Sequence, residues 1–326
     1  MVGNKWKKVL AAAVVGTMMA GFISGCGTDS APGKKKVGIV QIVQHPALDE
    51  ANKGFVAALN ERGLGDKVEI DQQNAQGDQS NLNSIASRFV SGNVDLICAI
   101  STPAAQAMAN ATDSIPIVGT AITSYTSAKL MNDEAHPDSN VTGTSDRAPL
   151  DKQLALIKEI QPDIKTLGVL YNSSEANSVV QVANLKKACQ SMGIQVKELT
   201  VNNVNDIQQV AEGFLGKVDA IYVPTDNVVA SSIPTLMSVA DRGHIPVYGA
   251  EVGHVENGAF ASESISFYDI GHRAGEMAAD ILEGKKEVKN LPVEGAPVTH
   301  LYINKAEMDK LGIKVPQSVL DRAKLI

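Results

Sequence analysis

VDLICAISTPAAQA at residues 94–107 and VDAIYVPTDNVVAS at 218–231 are two versions of one unit: Val-Asp, a short apolar run, a polar turn, then the start of a helix. A continuous apolar run closed by turn residues reads as a strand buried on both faces, and the residues after it read as the helix that covers it. Working outward, each copy is followed by an Ile-Pro strand, IPIVGTA from Ile115 and IPVYGA from Ile245, and preceded by VGIV at 37 and LGVL at 167, about 130 residues apart. Further strand-like runs are VEIDQQ (68–73), IQVKELTV (194–201), GAFASES (258–264) and VTHLYIN (298–304). Between them, Leu48/Ala51/Phe55/Leu59, Leu82/Ile85/Phe89, Leu150/Leu154/Ile157, Val179/Val182/Cys189 and Ile270/Ala274/Met277/Ile281 recur at helical spacing and predict helix core faces.

The expected fold class is therefore α/β, with two Rossmann-like doubly wound lobes joined by a hinge, the topology of a type I periplasmic binding protein. The helix from Phe267 to Leu282 is expected to return to the first lobe, making that lobe discontinuous: residues 37–144 plus 265–297 form lobe 1, 145–264 form lobe 2, and 298–326 supply a C-terminal strand and helix at the hinge. In such sheets ligands bind beyond the carboxyl ends of the strands, so two facing lobes enclose a cleft.

The first residues set the compartment. Lys5, Lys7 and Lys8 precede an almost uncharged run, Val9 to Ile23, that is short for a bilayer span, which predicts a signal peptide over residues 1–25. The run ends in Ile23-Ser24-Gly25-Cys26, which resembles a bacterial lipobox, so Cys26 is the expected lipidation site and residues 26–36 the lipidated tether. Acyl chains at about 0.8 kcal/mol per buried methylene would hold the chain on the extracytoplasmic face of the cell membrane without a membrane helix. The formal charge is −7 and includes those three lysines, leaving −10 once they are removed, which argues against nucleic acid as partner. Cys98 and Cys189 fall in apolar patterns and read as buried free thiols.

At the first strand end, Ser101-Thr102-Pro103 predicts a helix N-terminus capped by Thr102, an end that receives a carboxylate through free amide hydrogens. The matching turn, Pro224-Thr225-Asp226-Asn227, offers a carboxylate that either accepts a ligand ammonium, caps the helix, or does both. Gln73, Asn74, Thr120, Asn172, Glu175 and Glu251 fall at other strand ends, each with an ordinary turn or cap role as the alternative. Tyr171 and Tyr248 fit core packing better than stacking on a ligand. No G-x-S-x-G, P-loop, complete G-x-G-x-x-G, H-E-x-x-H or C-x-x-C occurs, and the six histidines lack metal-ligand spacing, so neither an enzyme nor a metal or other cofactor is expected.

VGIVQIVQHPALDEANKGF from Val37, DQQNAQGDQSNL from Asp71, ISTPAAQAMANAT from Ile100, VTGTSDRAP from Val141, YNSSEANS from Tyr171, YVPTDN from Tyr222 and YDIGHRAGEMAADIL from Tyr268 together resemble the tryptophan/tyrosine-type substrate-binding lipoproteins of bacterial ABC importers. The resemblance implies capture of an aromatic or other hydrophobic amino acid in the interlobe cleft and delivery to a permease and its ATPase; a monomer is expected. It implies a site drawn from His45, Pro46, Ala47, Gln73, Asn74, Ser101, Thr102, Thr120, Ser145, Asp146, Asn172, Glu175, Asn177, Asp226 and Asn227. A ligand-sensing receptor for a membrane partner, or a binder of a nucleobase or sugar, is the alternative.

Overall fold

The structure is a computed structural model that describes residues 33–296 and 298–326. The expected signal peptide and Cys26 lie outside the described residues. The first part of the chain runs β1 (Lys35–Gln41), α1 (Pro46–Glu61), β2 (Val68–Asn74), α2 (Gln79–Ser91), β3 (Leu96–Ile100), α3 (Thr102–Ala111), β4 (Ile117–Ile122) and β5 (Val141–Ser145). It then builds α4 (Leu150–Ile160), β6 (Thr166–Asn172), α5 (Ala176–Ser191), β7 (Gln195–Val201), α6 (Ile207–Ala211), β8 (Ala220–Val223), α7 (Asn227–Ala230), α8 (Ile233–Arg242), β9 (Val247–Gly249), α9 (Val252–Glu256) and β10 (Ala261–Ile265). The remainder is α10 (Phe267–Leu282), β11 (Glu294–Gly295), β12 (Thr299–Ile303), α11 (Lys305–Leu311), α12 (Gln317–Leu320) and β13 (Ala323–Leu325).

The strands form two sheets, β11-β5-β4-β3-β1-β2 and β13-β12-β10-β9-β8-β6-β7. All pairings are parallel except β10 with β12. The chain passes between the sheets after β5, β10 and β11. α10 returns to pack on α1, and the approach is close because glycines face backbone there. A Cβ on Gly54 would meet Tyr268 O at 2.1 Å, and one on Gly271 would meet Ala51 O at 2.0 Å. Among the described residues, no helix is long and apolar enough to cross a membrane.

The repeat seen in the sequence is physical. The Asp95 carboxylate accepts from Lys36 N at 2.8 Å, and its counterpart Asp219 accepts from Thr166 N at 2.8 Å. Ile97 N donates to Pro116 O and Ile221 N to Pro246 O, both at 2.9 Å. A Cβ on Gly38 would lie 2.8 Å from the Phe89 ring, and one on Gly168 would lie 2.8 Å from the Phe214 ring. The same acid, proline and glycine hold the same strand-to-strand and ring-to-strand contacts in each lobe.

Two elements depart from the expectation. β5, VTGTS, carries no apolar run, yet every residue of it is buried. Its hydroxyls are satisfied from the returning segment: Thr142 Oγ1 donates to Leu291 O, and Thr144 Oγ1 lies 2.9 Å from Ile270 O. In α5 the buried face is Ser178, Val182, Leu185 and Cys189, while Val179, expected in the core, is 44% exposed. The helix is rotated so that Asn177 and Ser178 point inward to polar partners. Cys98 and Cys189 are buried free thiols.

Candidate functional site

The carboxyl ends of β1, β3, β4 and β5 meet those of β6, β8 and β9 at the seam between the lobes. Buried there are Asp146, Glu175, Asp226 and Glu251 with His45 and His254, and among the described residues no Lys or Arg is buried. Buried carboxylates need partners, because an isolated charge in low dielectric costs several kcal/mol. What partners each has divides them.

Asp226 is the N-cap of α7: Oδ1 accepts from Val229 N at 2.9 Å, and Oδ2 from Asn172 N and Ser178 Oγ, each at 2.6 Å. Glu175 accepts from Asn227 N, Val228 N and Asn177 Nδ2, each at 3.2 Å, and from Asn227 Nδ2. Burial pushes both carboxyls up, and their proximity raises Glu175 further. Glu251 faces His254 Nε2 at 3.2 Å and, across the seam, His45 Nδ1 at 3.6 Å. Burial opposes its charge, but His254 holds it below the ordinary carboxylate range. His45 is pushed toward the neutral form by burial, and its Nε2 lies 3.4 Å from Asn227 Oδ1. Pro46 and Ala47, at the start of α1, pack against α9: a Cβ on Gly253 would sit 3.2 Å from Pro46 Cβ.

Asp146 differs. It is 4% exposed, its Oδ1 has no partner, and burial pushes its carboxyl up to about 7 despite a bond from Thr123. Thr102 is likewise buried with Oγ1 unpartnered. The expectation that Thr102 caps α3 is corrected: Ser101, at φ 104°, is the N-cap and accepts from Ala104 N at 3.4 Å. Thr102 occupies the first helical position, where backbone amides lack intrahelical partners, so its hydroxyl is not consumed. Asn177 Oδ1, Glu251 Oε1, His45 Nδ1 and both His254 ring nitrogens are also buried without a hydrogen-bond partner.

The other candidates have mainly local bonds. Thr120 Oγ1 lies 3.0 Å from Thr144 Oγ1. Beside it β4 slips register against β5 between Gly119 and Ile122, with Ala121 at φ 55°. Such bulges gather near sites. Ser145 Oγ donates to Thr123 O at 3.1 Å, and Asn172 Oδ1 accepts from Ser174 N at 2.9 Å. Gln73 is half-buried and bonded to Asp71, while Asn74 is exposed and accepts from Gln76 N at 2.7 Å; neither joins the buried group. The Tyr171 hydroxyl donates to Glu198 at 3.2 Å and that of Tyr248 to Gln161 at 2.9 Å, so both serve packing.

The sequence reading missed a cluster spanning the seam. Gln181 Nε2 donates to Thr225 Oγ1 at 2.6 Å and to Thr123 Oγ1 of the first lobe at 3.2 Å, and Gln181 Oε1 accepts from Thr225 N at 3.2 Å. Gln181 lies one turn beyond Asn177, and that helical offset was the available signal. An interlobe cavity of about 340 Å³ is lined by Ile42, Val43, Pro103 and Val228, with Asn172, Glu175 and Asn227 among its polar walls. That volume suits a small ligand. Among the described residues, no group of His, Cys, Asp and Glu side chains could hold a metal ion.

With this geometry in view, the comparisons are specific. Residues 36–326 match the family model described as ABC transporter substrate binding protein. The chain is 40% identical over 325 residues to a tyrosine-binding protein of Clostridioides difficile (strain R20291), covering 95% of this chain and 94% of that protein. It superposes with a TM-score of 0.87 on an ABC domain in complex with L-Trp from Streptococcus pneumonia, at 38% identity over 90% of this chain and 99% of the other. A ligand-free, open structure of a substrate binding protein with adhesive properties from Clostridium difficile is 44% identical over the same shares, yet gives a TM-score of 0.68. The described conformation, with hydrogen bonds directly across the seam, is thus nearer the L-Trp complex although the open structure is closer in sequence. The fold is that of a type I periplasmic binding protein, and the chain belongs to the ABC transporter substrate binding protein family.

Proposed function

We propose that the protein captures an α-amino acid with an aromatic side chain between its lobes and delivers it to an ABC permease, with no chemistry on the ligand. The observation that carries this reading is two of the unsatisfied buried groups at the seam, one after β3 and one after β5. The Thr102 hydroxyl at the start of α3 is free to meet a carboxylate, and Asp146 Oδ1 is free to meet an ammonium. A zwitterion supplies both, and it supplies the positive charge that no buried Lys or Arg provides. Ile42, Val43, Pro103 and Val228 give the side chain an apolar wall. The tyrosine-binding relative and the L-Trp complex support the aromatic class.

His45, Pro46, Ala47, Ser101, Thr120, Ser145, Asn172, Glu175, Asn177 and Asn227 complete the proposed site, with Asp226 holding its second-lobe wall together. Gln73 and Asn74 would join it only at the rim. Removal of residues 1–25 and lipidation at Cys26 would tether the protein outside the membrane, and Cys26→Ser should release it from the membrane fraction. The test of the ligand class is thermal stability against the twenty amino acids, sugars and nucleobases, since a ligand of the native state raises the melting temperature. A rise with tyrosine, tryptophan or phenylalanine supports the reading; a rise confined to a sugar or nucleobase refutes it.

A further inference from the structure

We propose that Gln181 is a clasp that holds the lobes closed and sets how long the bound molecule stays, without itself being part of the ligand's wall. The inference rests on the reading of the chain as a binding protein that closes on its ligand, and it deepens that reading by naming a residue that governs release.

The geometry carries it. Gln181 projects from α5 of the second lobe, and its single amide group serves three atoms of the cluster. The amide nitrogen reaches Thr225 Oγ1 at 2.6 Å and, across the seam, Thr123 Oγ1 at 3.2 Å. The amide oxygen accepts from Thr225 N at 3.2 Å. The two threonine hydroxyls lie 3.4 Å apart across the same seam. Thr123 follows directly on β4, and Thr225 sits in the turn after β8, so the triangle ties the carboxyl end of a strand in one sheet to that of a strand in the other. Separating the lobes must break the bonds to Thr123 while leaving those to Thr225 intact, since Gln181 and Thr225 move together. The clasp is thus preassembled in the second lobe.

The cluster also has a route to water. Thr123 and Gln181 border a cavity of about 240 Å³, and Gln181 is half-buried where Thr123 and Thr225 are buried. Water entering there replaces the interlobe bonds on opening, so the clasp is reversible. None of the residues lining the 340 Å³ interlobe cavity borders this one. The second seam contact, His45 with Asn227 and Glu251, involves residues assigned to the ligand site. Gln181 is the seam contact that lies outside that set, and its one tie to it is a 3.3 Å bond from Nε2 to the backbone oxygen of Asn177, one turn back in the same helix.

Net hydrogen bonds of this kind shift equilibria by roughly two- to tenfold, and changes at an interface of fixed shape act mainly on dissociation. The test is stopped-flow release of L-tryptophan and L-tyrosine from the wild-type protein and from Gln181→Ala, Thr225→Val and the double variant. Release from each single variant is expected to be about three to ten times faster, association to change by less than about twofold, and the double variant to release no faster than the quicker single. A merely structural role for Gln181 would lower the melting temperature and leave release unchanged, which overturns the proposal, as do single effects that multiply in the double variant. Small-angle scattering of the same proteins without ligand gives a reading independent of the amino acid. A shift toward the more open form in Gln181→Ala supports the clasp, and an unchanged profile overturns it even if neither amino acid binds the wild type, an outcome that by itself would refute only the ligand class.

Discussion

The turns after β3 and β8 are the same piece of architecture used in opposite ways. After β8, Asp226 has its carboxylate filled by Val229 N, Asn172 N and Ser178 Oγ. After β3, the matching turn caps its helix through Ser101 and leaves the Thr102 hydroxyl, like the Asp146 oxygen after β5, buried with nothing to bond. The Asp226 turn is finished by its own chain. The turn after β3 is left open for something to complete, and carrying unsatisfied buried groups costs stability that a ligand can return.

The largest effect that would break this contrast is Asp226→Ala. It strands two buried amides and a hydroxyl, and we expect a loss of about 3–5 kcal/mol in urea unfolding. A loss below about 1 kcal/mol would mean that Asp226 is not a structural cap. Next is the pH dependence of Asp146, whose carboxyl rises from 3.8 to about 7 on burial. The folded protein holds this proton more tightly than the unfolded chain does. Its contribution to stability is therefore full below the unfolded pKa and is lost as pH rises through about 7. Without ligand, Asp146→Asn should melt above wild type at pH 8, about 8 °C higher as an order of magnitude, with the gap closing toward pH 4. Saturating amino acid should flatten the wild-type dependence, because an ammonium replaces the proton. A parallel pH profile for the two proteins would remove Asp146 from the role assigned here.

Smaller again is Gly38→Ala against Gly168→Ala. Each new methyl meets an aromatic ring, Phe89 or Phe214, at 2.8 Å, and each should cost about 1–3 kcal/mol by overpacking. Similar losses in calorimetry would sharpen the equivalence of the lobes, and a cost in only one would break it. The smallest stability effect is Thr102→Val, which deletes an unpaired hydroxyl: unfolding should change by less than about 0.5 kcal/mol while amino-acid affinity falls about tenfold.

Much of the fold was legible because its determinants are local and repeated. Val-Asp-x-Ile and Ile-Pro recur where Asp95 and Asp219 tie the strand starts and where Pro116 and Pro246 accept from Ile97 and Ile221. β5 was not legible, because a strand of threonine, glycine and serine looks like a turn until Leu291 and Ile270 arrive from far along the chain to take its hydroxyls. Gly143, at φ 142°, lies there so close to Gly119 that a Cβ would meet its carbonyl at 1.9 Å. Val179 was misplaced for a related reason: apolar periodicity gives a helix face, but polar residues at the seam rotated α5. Within the site, the turns were findable from sequence. Which carboxylate is satisfied was not, since the partners of Asp226 come from residues 172 and 178 and those of Gln181 from both lobes. Satisfaction is a property of the assembled seam.

The open groups after β3 and β5 await a zwitterion. Calorimetric titration of the protein with L-tyrosine and L-tryptophan, each against its deaminated acid and its decarboxylated amine, tests it most directly. Saturable binding of at least one amino acid is expected, with a loss of about tenfold or more for both of its analogues. Equal binding of an amino acid and its deaminated acid would show that Asp146 receives no ammonium and would contradict the account.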